Sequence, residues 1–437
     1  MTWIIRGGRP LLGDVTVGGA KNTAFKLMIA ALLADDVSVL ENVPDVGDTR
    51  TVAEMIRALG GQVEWATGRS LIIDPGGVRQ YVLDREMATR CRASILFAGP
   101  LLARLGEAVI PLPGGDRIGR RPVDRHLAGL LALGVETRDE GGLLHLRAPR
   151  LRGARYRFPK STHTGTETLL LAAVCAEGET LLENAACEPE VDDLIAFLRK
   201  MGAQVERLTD RTIRILGVAG LHGARHSIMP DRNEAVTYAC AALITRGDVT
   251  THQVQPVHLT AFIDVLKAMR AGCQADDNRL RVWYDGPLRP VTITTSPHPG
   301  FMTDWHPLVA SVLTQAEGVS VVHETVFENR FGYVPYLRQM GARIELFNPE
   351  VLNPDAVYNF NPEDDHPDYF HAARIFGPTP LRGACVHATD VRAGAALVLA
   401  ALAADGETTL TGIEHIERGY ERLDLALRSL GADIRQK

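Results

Sequence analysis

The sequence predicts an α/β fold in which one helix-and-strand repeat occurs six times, three times in each of two domains. Its 437 residues are 46% apolar and 23% charged, the composition of an ordinary globular protein long enough for two or three domains. Two short phrases recur along the chain with the same period, and apolar residues before one of them follow helical spacing. A repeat of this kind decides the fold more strongly than the propensity of any single segment.

The first phrase is an apolar residue, a glycine and a small residue, followed by alternating polar and apolar residues. Its glycine stands at positions 60, 134, 202, 272, 341 and 431, so the steps are 74, 68, 70, 69 and 90 residues. In the first copy Val52, Met55, Ile56 and Leu59 are three and four residues apart, which predicts a helix with one apolar stripe. The glycine then supplies the left-handed residue that ends a helix, and the alternation over 62–65 predicts a strand.

The second phrase is an acidic residue and a glycine before a run of β-forming residues, as at 176–182 and 404–410. Related turns occur at Gly106, Gly247 and Gly318, and the steps from position 106 are 72, 69, 71 and 88 residues. Both phrases therefore place about 20 additional residues in the last repeat. Because the helices are apolar and the strands alternate, we expect the helices of each domain to lie inside three sheets.

The composition excludes several classes of protein. A formal net charge of −6 is unlike the basic surface of nucleic-acid-binding proteins. The six scattered cysteines include no CxxC pair, which favours reduced thiols over a disulfide framework. We see neither a secretion signal nor a run near the ~18 apolar residues of a membrane span, and we expect a cytoplasmic protein. Residues 363–371 are acidic and contain histidines, but they lack ordered ligand spacing, so we interpret them as a solvated loop rather than a metal site.

Three loops at equivalent places in the repeats each carry an arginine just before a predicted helix. These residues are Arg121 in the second repeat, Arg330 in the fifth and Arg418 in the sixth. Helix N-termini and arginine side chains both bind phosphate and carboxylate groups, so the three residues are candidates for one anion site. The alternative is that each is a surface arginine paired with a local carboxylate, such as Glu328 or Glu417.

Two aspartates and one lysine are candidates for chemistry. Loop 111–121 is rich in glycine and proline and carries Asp116, which suggests a mobile lid bearing an acid, although an aspartate beside two glycines is commonly a solvated turn residue. Asp304 follows a Pro-Gly loop and is either a base or a helix N-cap. Lys21 and Asn22 end a glycine turn, where a lysine supplies a point charge for phosphate.

Eight motifs follow one another along the chain: GGAKN at 18–22, RAS at 92–94, LPGGxxIGxRPVDxH at 112–126, PDRxE at 230–234, FxTD at 301–304, ETVFENRF at 324–331, TDxRA at 389–393 and HIxRGYER at 415–422. Together they resemble the UDP-N-acetylglucosamine enolpyruvyl transferases of the EPSP synthase superfamily. The resemblance runs from about residue 3 to residue 436.

The resemblance implies a two-domain inside-out α/β barrel, with three repeats in each domain. It implies that residues 21–229 form one domain, which includes the lid loop 111–121. Residues 1–20 and 230–437 would form the second domain, with an insertion at about 346–380.

The resemblance also implies a reaction. The family transfers the enolpyruvyl group of phosphoenolpyruvate to the 3-hydroxyl of UDP-N-acetylglucosamine and releases phosphate, the first step of peptidoglycan precursor synthesis. The sugar hydroxyl attacks C2 while C3 gains a proton, which requires a base near the hydroxyl and an acid near C3. Clustered arginine and lysine residues stabilise the phosphate and carboxylate of the tetrahedral intermediate. We therefore expect a monomer that acts on these two small molecules without a metal or an organic cofactor.

Individual residues receive roles from the same resemblance. The implied catalytic residues are Lys21, Asn22, Asp116, Asp304 and Arg418. The implied cationic site for phosphoenolpyruvate also includes Arg92, Arg121, Arg330 and Arg392. The residues implied to bind the nucleotide sugar are Pro122, Val123, Asp124, Arg125, Lys160, Ser161, Thr162, His163 and Val326. Asp231 and Glu234 would support the connection between the domains.

The sequence departs from the family pattern in two places. Asp116 stands at the lid tip, where the family usually has cysteine. A carboxyl group whose pKa is raised by burial can supply the C3 proton, but it cannot form a thioether with the epoxide fosfomycin, so we predict an active and fosfomycin-insensitive enzyme. Residues 160–166 replace the familiar Ser-Val-Gly-Ala-Thr run, and Arg125 stands where an apolar residue is usual. These departures leave open an enzyme that uses another nucleotide.

Two further alternatives remain at this point. An enolpyruvyl transferase acting on shikimate 3-phosphate shares the fold, but GGAKN, the long lid and HIxRGYER favour the nucleotide sugar. A non-catalytic ring of α/β repeats, such as a DNA clamp, would carry basic residues along one set of helices, whereas the arginines here gather in loops.

Overall fold

A computed structural model describes residues 2–116 and 118–437. In these residues the strands are β1 (Trp3–Arg6), β2 (Leu12–Thr16), β3 (Ser38–Glu41), β4 (Gln62–Ala66), β5 (Ser70–Asp74), β6 (Glu107–Pro111), β7 (Glu136–Asp139), β8 (Leu143–Arg147), β9 (Arg155–Arg157), β10 (Glu179–Glu183), β11 (Gln204–Thr209), β12 (Thr212–Leu216), β13 (Arg225–Ser227), β14 (Asp248–His252), β15 (Gly272–Asp276), β16 (Arg279–Trp283), β17 (Thr292–Thr294), β18 (Gly318–His323), β19 (Arg343–Phe347), β20 (Ala372–Gly377), β21 (Cys385–His387), β22 (Glu407–Thr411) and β23 (Asp433–Gln436).

The α-helices of the same residues are α1 (Lys21–Ala30), α2 (Gly47–Ala58), α3 (Arg85–Arg90), α4 (Ala98–Leu105), α5 (Asp124–Ala132), α6 (His163–Ala173), α7 (Pro189–Lys200), α8 (Arg232–Ile244), α9 (Thr260–Ala268), α10 (His306–Leu313), α11 (Val334–Gln339), α12 (Pro354–Val357), α13 (Val391–Ala403), α14 (Ile413–Glu417) and α15 (Leu423–Ser429). Short 3-10 helices cover Ala31–Leu33, Arg92–Phe97, Pro256–Leu259 and Pro362–Asp364.

The strands form six small sheets, one for each predicted repeat. Five sheets have the same plan, in which an edge strand runs parallel to its neighbour and the other two pairings are antiparallel. Their strand orders are β13-β3-β5-β4, β9-β10-β12-β11, β2-β14-β16-β15, β17-β18-β20-β19 and β21-β22-β1-β23. The sixth sheet, β6-β8-β7, has three strands, and a single parallel bridge from Val82 to Val109 takes the place of the edge strand. The six-repeat α/β fold is therefore confirmed.

The chain divides into two compact units. Unit one comprises the described residues of Met1–Gly18, Asp116–Arg121 and Pro230–Lys437, and unit two comprises Gly19–Gly115 and Pro122–Met229. Each unit contains three of the six sheets. Asp116 and residues 118–121 group with unit one, where Asp116 contacts Arg418 and Arg120 contacts Glu328, whereas the sequence predicted that the whole loop 111–121 belongs to the other domain.

Each unit has its own core, which is built around helices rather than sheets. In unit one α10 packs against α8 and α13, and every residue of α8 and α10 is buried. In unit two α6 packs against α4, and all but one residue of α1 is buried. The prediction of helices inside three sheets is therefore confirmed for both units. No helix of the described residues has the length and hydropathy needed to cross a membrane.

One glycine of the first phrase was assigned wrongly. Five of the six glycines have φ between +84° and +106° and follow a helix, as predicted. In the fourth repeat the left-handed residue is Arg270, with φ +59°, and Gly272 begins β15. A Cβ at Gly272 would lie 2.1 Å from the Trp283 ring, so packing within the sheet explains this glycine. The repeat positions are therefore 60, 134, 202, 270, 341 and 431.

The additional residues of the last step form the connection between β19 and β20. The connecting residues 348–371 include α12 and a 3-10 helix, and both flanking strands belong to the fifth sheet. Both phrases predicted this length in the last repeat, because each was counted from one copy of its glycine to the next and residues 348–371 lie inside the last interval of both. The sheet topology places it in the fifth repeat instead.

Candidate functional site

A buried cluster of arginines and carboxylates lies in unit one. Asp304, just before α10, accepts hydrogen bonds from Arg330 Nη2 and Arg392 Nε, both at 3.2 Å. Asp390 accepts from Arg330 Nη1, also at 3.2 Å. The side chains of Arg330 and Arg392 are 2% and 5% exposed, and that of Asp304 is 22% exposed. Among these three side chains, that of Asp304 is therefore the one most accessible to solvent.

Helix α13 explains why these charges lie together. Asp390 caps α13 by accepting from the backbone N–H groups of Arg392 and Ala393, and it binds Arg330 with the same oxygen atom. The guanidinium of Arg392 lies 5.1 Å from the centre of the Tyr420 ring, whose hydroxyl is 2.7 Å from Thr237 Oγ1. The cap thus sets the position of two arginines at once.

Both arginines of this cluster remain cations. Burial lowers the pKa of Arg330, but the charges of Asp390 and Asp304 outweigh it and raise that pKa. Burial likewise lowers the pKa of Arg392, and Tyr420 and Asp304 more than offset the effect, so this pKa is raised as well. The positive charge of the cluster is therefore independent of pH in the physiological range.

The lid segment 116–121 contacts the same unit. Arg418 Nη1 donates to Asp116 Oδ1 at 3.1 Å, and Arg121 Nη1 donates to the Asp116 carbonyl oxygen at 3.3 Å. The guanidinium of Arg121 lies 5.7 Å from the centre of the Phe327 ring. Burial lowers the pKa of Arg121, Asp116 raises it, and the positive charges of Arg330 and Arg418 lower it further. The three arginines of equivalent loops therefore lie close enough for their charges to interact.

Glu328 holds the lid segment by its backbone. The buried Glu328 side chain accepts a short hydrogen bond from the backbone N–H of Arg120. Gly119 has φ +145°, and a Cβ there would lie 2.4 Å from Glu328 Oε2. A glycine is needed at this position because the carboxylate occupies the space of a side chain. Glu328 thus contacts the lid segment, whereas Arg330 pairs with Asp304 and Asp390, so the alternative pairing of Arg330 with Glu328 is not what the structure shows.

The insertion 348–371 supports the loop that carries Val326. The backbone N–H of Asn359 donates to the Thr325 carbonyl at 2.7 Å, and that of Glu324 donates to the His371 carbonyl at 2.7 Å. Asp364 of the insertion pairs with Arg120 of the lid segment at 3.2 Å. No role for this insertion could be predicted from its residues, and the structure shows that it contacts both the loop and the lid segment.

The fully buried Glu324 fixes the conformation of that loop. Its Oε1 accepts from the backbone N–H groups of Val326 and Phe327, at 2.7 and 2.9 Å, and its Oε2 accepts from Thr303 Oγ1 at 2.9 Å. Burial raises the pKa of Glu324, although these hydrogen bonds and the charge of Arg330 oppose the effect. Glu324 therefore positions Val326 relative to the segment that leads to Asp304.

Unit two contains the other candidate residues. Lys21 begins α1 and forms a 2.8 Å ion pair with Asp48 of α2, and Asn22 follows it in the first turn. Arg92 Nη2 donates to the Pro122 carbonyl at 3.0 Å. Pro122 and Val123 precede α5, which begins at Asp124.

Residues 160–163 lead into α6 in the same unit. Thr162 caps the helix by accepting from the Gly165 backbone N–H. Arg211 donates to Ser161 Oγ at 3.1 Å, and Arg125 donates to the Ser161 carbonyl at 3.4 Å. Lys160 is half-buried at the beginning of this segment. Arg125, which replaces an apolar residue of the family pattern, thus helps to hold the segment that also departs from it.

The structure places the candidate residues in two groups, one in each unit. The group in unit one is Asp116, Arg121, Asp304, Val326, Arg330, Arg392 and Arg418. The group in unit two is Lys21, Asn22, Arg92, Pro122, Val123, Asp124, Arg125, Lys160, Ser161, Thr162 and His163. Within the described residues, no group of three or more His, Cys, Asp or Glu side chains is arranged to hold a metal ion.

Comparison with known proteins assigns the chain to a family. The family model of EPSP synthase (3-phosphoshikimate 1-carboxyvinyltransferase) matches residues 5–426. The chain belongs to the EPSP synthase family. The chain is 44% identical, over 99% of its length and 98% of the relative's, to a protein of Caldanaerobacter subterraneus named UDP-N-acetylglucosamine 1-carboxyvinyltransferase 3. It is 43% identical to the UDP-N-acetylglucosamine 1-carboxyvinyltransferase of Koribacter versatilis, over 99% of this chain and 96% of the relative.

Solved structures of the EPSP synthase family have the same fold. The enolpyruvyl transferase NikO from Streptomyces tendae is similar with a TM-score of 0.87 and 27% identity, over 99% of this chain and 98% of NikO. EPSP synthase from Acinetobacter baumannii is similar with a TM-score of 0.71 over the full length of both chains. At 18% identity, that second likeness concerns the fold alone.

Two notable residues of this family member, His126 and Lys26, were not among the candidates predicted from the sequence. His126 Nε2 lies 2.8 Å from Thr164 Oγ1, and burial together with the nearby Arg92 and Arg125 lowers the pKa of His126 to about 3. His126 is the last residue of the motif at 112–126, and that position was the signal available in the sequence. Lys26 gave a different signal, a rare lysine in an otherwise apolar helix, which requires a buried partner.

Proposed function

We propose that this protein transfers the enolpyruvyl group of phosphoenolpyruvate to the 3-hydroxyl of UDP-N-acetylglucosamine and releases phosphate, the first committed step of peptidoglycan precursor synthesis. The observation that carries this proposal is the buried cluster of arginines around Asp304 and Asp116 in unit one. The names of full-length relatives at 42–44% identity support the choice of nucleotide sugar.

The arginines suit an anionic intermediate. Arg121, Arg330, Arg392 and Arg418 supply four guanidinium groups in one unit, and three of them are bound to carboxylates of the chain. Guanidinium groups bind phosphate and carboxylate through paired N–H donors, and they are most effective where water is excluded. The substrate's own anionic groups would compete with Asp116 and Asp304 for these donors.

The reaction needs one base and one acid. In the addition step the sugar hydroxyl gives its proton to Asp304, its oxygen bonds to C2, and C3 receives a proton from Asp116. In the elimination step the Asp116 carboxylate takes a proton back from C3, the carbon–carbon double bond forms again as an enol ether, and the C2–O bond to phosphate breaks. The departing phosphate takes up the proton that Asp304 received, so both carboxylates return to their starting states. Asp116 is bound by Arg418 in the structure. A phosphate group that takes over Arg418 would release Asp116 and place a negative charge nearby, which favours its protonated form.

Phosphate release with different acceptors tests the function. The protein is mixed with phosphoenolpyruvate and UDP-N-acetylglucosamine, UMP or shikimate 3-phosphate, and inorganic phosphate is measured over time. We expect release with UDP-N-acetylglucosamine alone among the three. Release with UMP and not with the nucleotide sugar would favour the alternative of another nucleotide, which the departures at 160–166 suggest.

Replacing Asp116 tests its role as the acid. We expect Asp116→Asn to lower kcat at least about 100-fold, because a general acid contributes about 10²–10⁴-fold and an amide cannot donate this proton. Asp116→Glu, which keeps a carboxyl group, should retain more activity than Asp116→Asn. Near-normal turnover of Asp116→Asn would refute the role.

Fosfomycin provides a second test of the lid residue. We expect the wild-type protein to keep its turnover with excess fosfomycin and to show no added mass, because a carboxylate does not form the thioether. Asp116→Cys should become sensitive and gain one equivalent of the inhibitor by mass spectrometry. Covalent labelling of the wild-type protein with loss of turnover would contradict this prediction.

The cellular location and the oligomeric state can be inferred from the substrates and the candidate residues. We propose a cytoplasmic monomer, because both substrates are small cytoplasmic metabolites and each candidate group lies within a single chain. Size-exclusion chromatography with light scattering measures the oligomeric state, and a dimer would contradict the proposed monomer.

A further inference from the structure

Three fully buried polar side chains of unit one, Glu324, His306 and Tyr333, lie next to the segment that carries Asp304, and none of them has a part in the chemistry above. His306 begins α10, two residues after Asp304. Its Nδ1 atom lies 3.3 Å from the Tyr333 hydroxyl, and its Nε2 atom lies 3.3 Å from Glu324 Oε2. Thr303, directly before Asp304, donates its hydroxyl to the same Oε2 atom at 2.9 Å. These side chains therefore connect the residues on both sides of the proposed base.

The cost of burying Glu324 calls for an explanation. Taking a carboxylate out of water is unfavourable, and well-packed apolar residues are often at least as stable. Glu324 accepts with Oε1 from the backbone N–H groups of Val326 and Phe327 and with Oε2 from Thr303. One carboxylate thus holds both the loop proposed to contact the nucleotide sugar and the segment that carries the base. An apolar residue at this position could make neither connection.

The surroundings of Glu324 favour its ionised form. The two backbone N–H groups and the Thr303 hydroxyl are donors, and an ionised carboxylate offers only acceptors. Burial raises the pKa of Glu324, whereas these hydrogen bonds and the charge of Arg330 oppose the effect. The negative charge of Glu324 is therefore the form that its neighbours bind.

The contacts of His306 indicate which ring nitrogen carries a proton. Burial and the charge of Arg330 lower the pKa of His306, so the ring is neutral and has a single N–H group. Within the described residues the Tyr333 hydroxyl has no hydrogen-bond partner besides Nδ1, so a proton on Nδ1 would leave the hydroxyl hydrogen buried without an acceptor. With the proton on Nε2, Tyr333 donates to Nδ1. The Nε2–H group then faces the Glu324 carboxylate at 3.3 Å, although without the geometry of a hydrogen bond.

We propose that Glu324 and His306 are positioning residues for the base Asp304. The Nε2–H group of His306 attracts the charged Glu324, and Glu324 binds the Thr303 hydroxyl, which fixes the backbone that leads to Asp304. Two buried arginines fix the Asp304 carboxylate itself, so the base is held at both ends. The proposal rests on the proposed function, in which Asp304 takes the proton of the sugar hydroxyl.

Nitrogen-15 NMR of histidine-labelled protein tests the position of the proton in His306. Glu324 faces the ring from the residue after β18, and Tyr333 faces it from the residue before α11. The charges of Arg330 and Asp304 also affect the pKa of the ring. We expect one proton, on Nε2, at both pH 6 and pH 8, and the signal is identified by its absence from His306→Gln or His306→Asn. A proton on Nδ1 in the wild-type protein, alone or together with one on Nε2, would overturn the proposal.

Replacing Glu324 by glutamine should reverse this arrangement. The backbone N–H groups of Val326 and Phe327 keep the amide oxygen at the position of Oε1, so the amide nitrogen faces His306 Nε2. We expect the proton of His306 to move to Nδ1 and kcat to fall at least about tenfold, because Thr303 loses its acceptor. Wild-type kcat in Glu324→Gln would overturn the positioning role. If this variant does not fold, the wild-type spectrum and the Thr303 variants decide the proposal.

Substitutions of Thr303 test its connection to the base. We expect Thr303→Val to lower kcat at least about tenfold with KM for phosphoenolpyruvate unchanged, because misplacing a catalytic group by about 1 Å can cost about 100-fold. Thr303→Ser keeps the hydroxyl and should retain most of the wild-type kcat. Thr251→Val is the matched control, because the buried Thr251 hydroxyl of β14 donates to the Leu280 carbonyl at 2.9 Å, and it should leave kcat unchanged. Wild-type kcat in Thr303→Val, or equal losses in Thr303→Val and Thr251→Val, would overturn the proposal.

The spectrum and the kinetics together separate this inference from the proposed function, because the spectrum needs no turnover. A wild-type protein with the proton on His306 Nε2 that releases no phosphate from phosphoenolpyruvate and UDP-N-acetylglucosamine would reject the proposed reaction alone. A wild-type protein that releases phosphate, with full kcat in Thr303→Val, would reject the positioning role alone.

Discussion

The charged groups of the two units are held in different ways. In unit one Asp304 and Asp390 are bound by Arg330 and Arg392, whose pKa values are raised, so the cluster does not titrate near neutral pH. In unit two the charged groups include His163, where burial lowers the pKa and Glu167 more than offsets the effect, so that the pKa is raised. Charges that do not titrate near neutral pH would suit the proposed site for the phosphate and carboxylate of phosphoenolpyruvate.

The two histidines of unit two sharpen this comparison. His126 lies in the first turn of α5 near two arginines, which together with burial lower its pKa to about 3. His163 begins α6 beside Glu167, and its pKa is raised. Each side chain contacts a residue of α6, Thr164 for His126 and Glu167 for His163, yet the pKa is lowered for His126 and raised for His163. The difference comes from the sign of the neighbouring charge.

The largest effect on stability should come from removing Asp390 from the cluster of arginines and carboxylates in unit one. Asp390→Ala removes the N-cap of α13 and one partner of the buried Arg330. We expect unfolding in urea to show a loss of about 3–5 kcal/mol, the usual cost of leaving one member of a buried ion pair. The loss should be the same at pH 6 and pH 8, because neither arginine titrates in that range.

An exposed cap provides the control for Asp390. Asp84 caps α3 by accepting from the Met87 backbone N–H, and it is exposed. Asp84→Ala should cost only about 1 kcal/mol, the usual value of an N-cap. If Asp390→Ala costs no more than Asp84→Ala, the pairing with Arg330 contributes nothing measurable, and the contrast between the units fails.

The next largest effect should be the change of the unfolding free energy with pH that arises from His126. Its folded-state pKa lies below the unfolded value of 6.5, so the stability it contributes is present above that value and is lost as pH falls. Between pH 7 and pH 5.5 the wild-type protein should lose about 1.2 kcal/mol of unfolding free energy through this group. His126→Gln should lack this part of the pH dependence.

His163 should act in the opposite direction. A raised folded-state pKa contributes stability that is present below the unfolded pKa and is lost as pH rises through the folded pKa. Urea unfolding of wild type, His126→Gln and His163→Gln at both pH values separates the two contributions. A wild-type protein and a His126→Gln variant with parallel pH dependence would show that His126 takes up its proton in the folded state.

The sequence predicted what depends on local pattern and missed what depends on distant contacts. The repeat period and the equivalent positions of the three loop arginines were visible in the chain. Arg270 takes the left-handed conformation usually given to glycine, so the search for glycines selected Gly272, two residues away. The pairing of Lys26 with Glu167 joins helices far apart in sequence, and no local pattern predicts which carboxylate neutralises a buried lysine.

The smallest effect should arise where the insertion meets the lid segment. The Asp364 side chain is 4% exposed, but its partner Arg120 is 72% exposed, so water screens the pair and its contribution should be about 1 kcal/mol. Asp364→Ala should therefore leave global stability nearly unchanged and accelerate hydrogen exchange of the Arg120 amide by no more than about fivefold. Asp368→Ala, a nearby substitution at a side chain that is 88% exposed, should not change that exchange. Equal rates in the two variants would show that Asp364 does not help to hold the segment. The insertion would then contribute through other contacts, which include its backbone hydrogen bonds to Thr325 and Glu324.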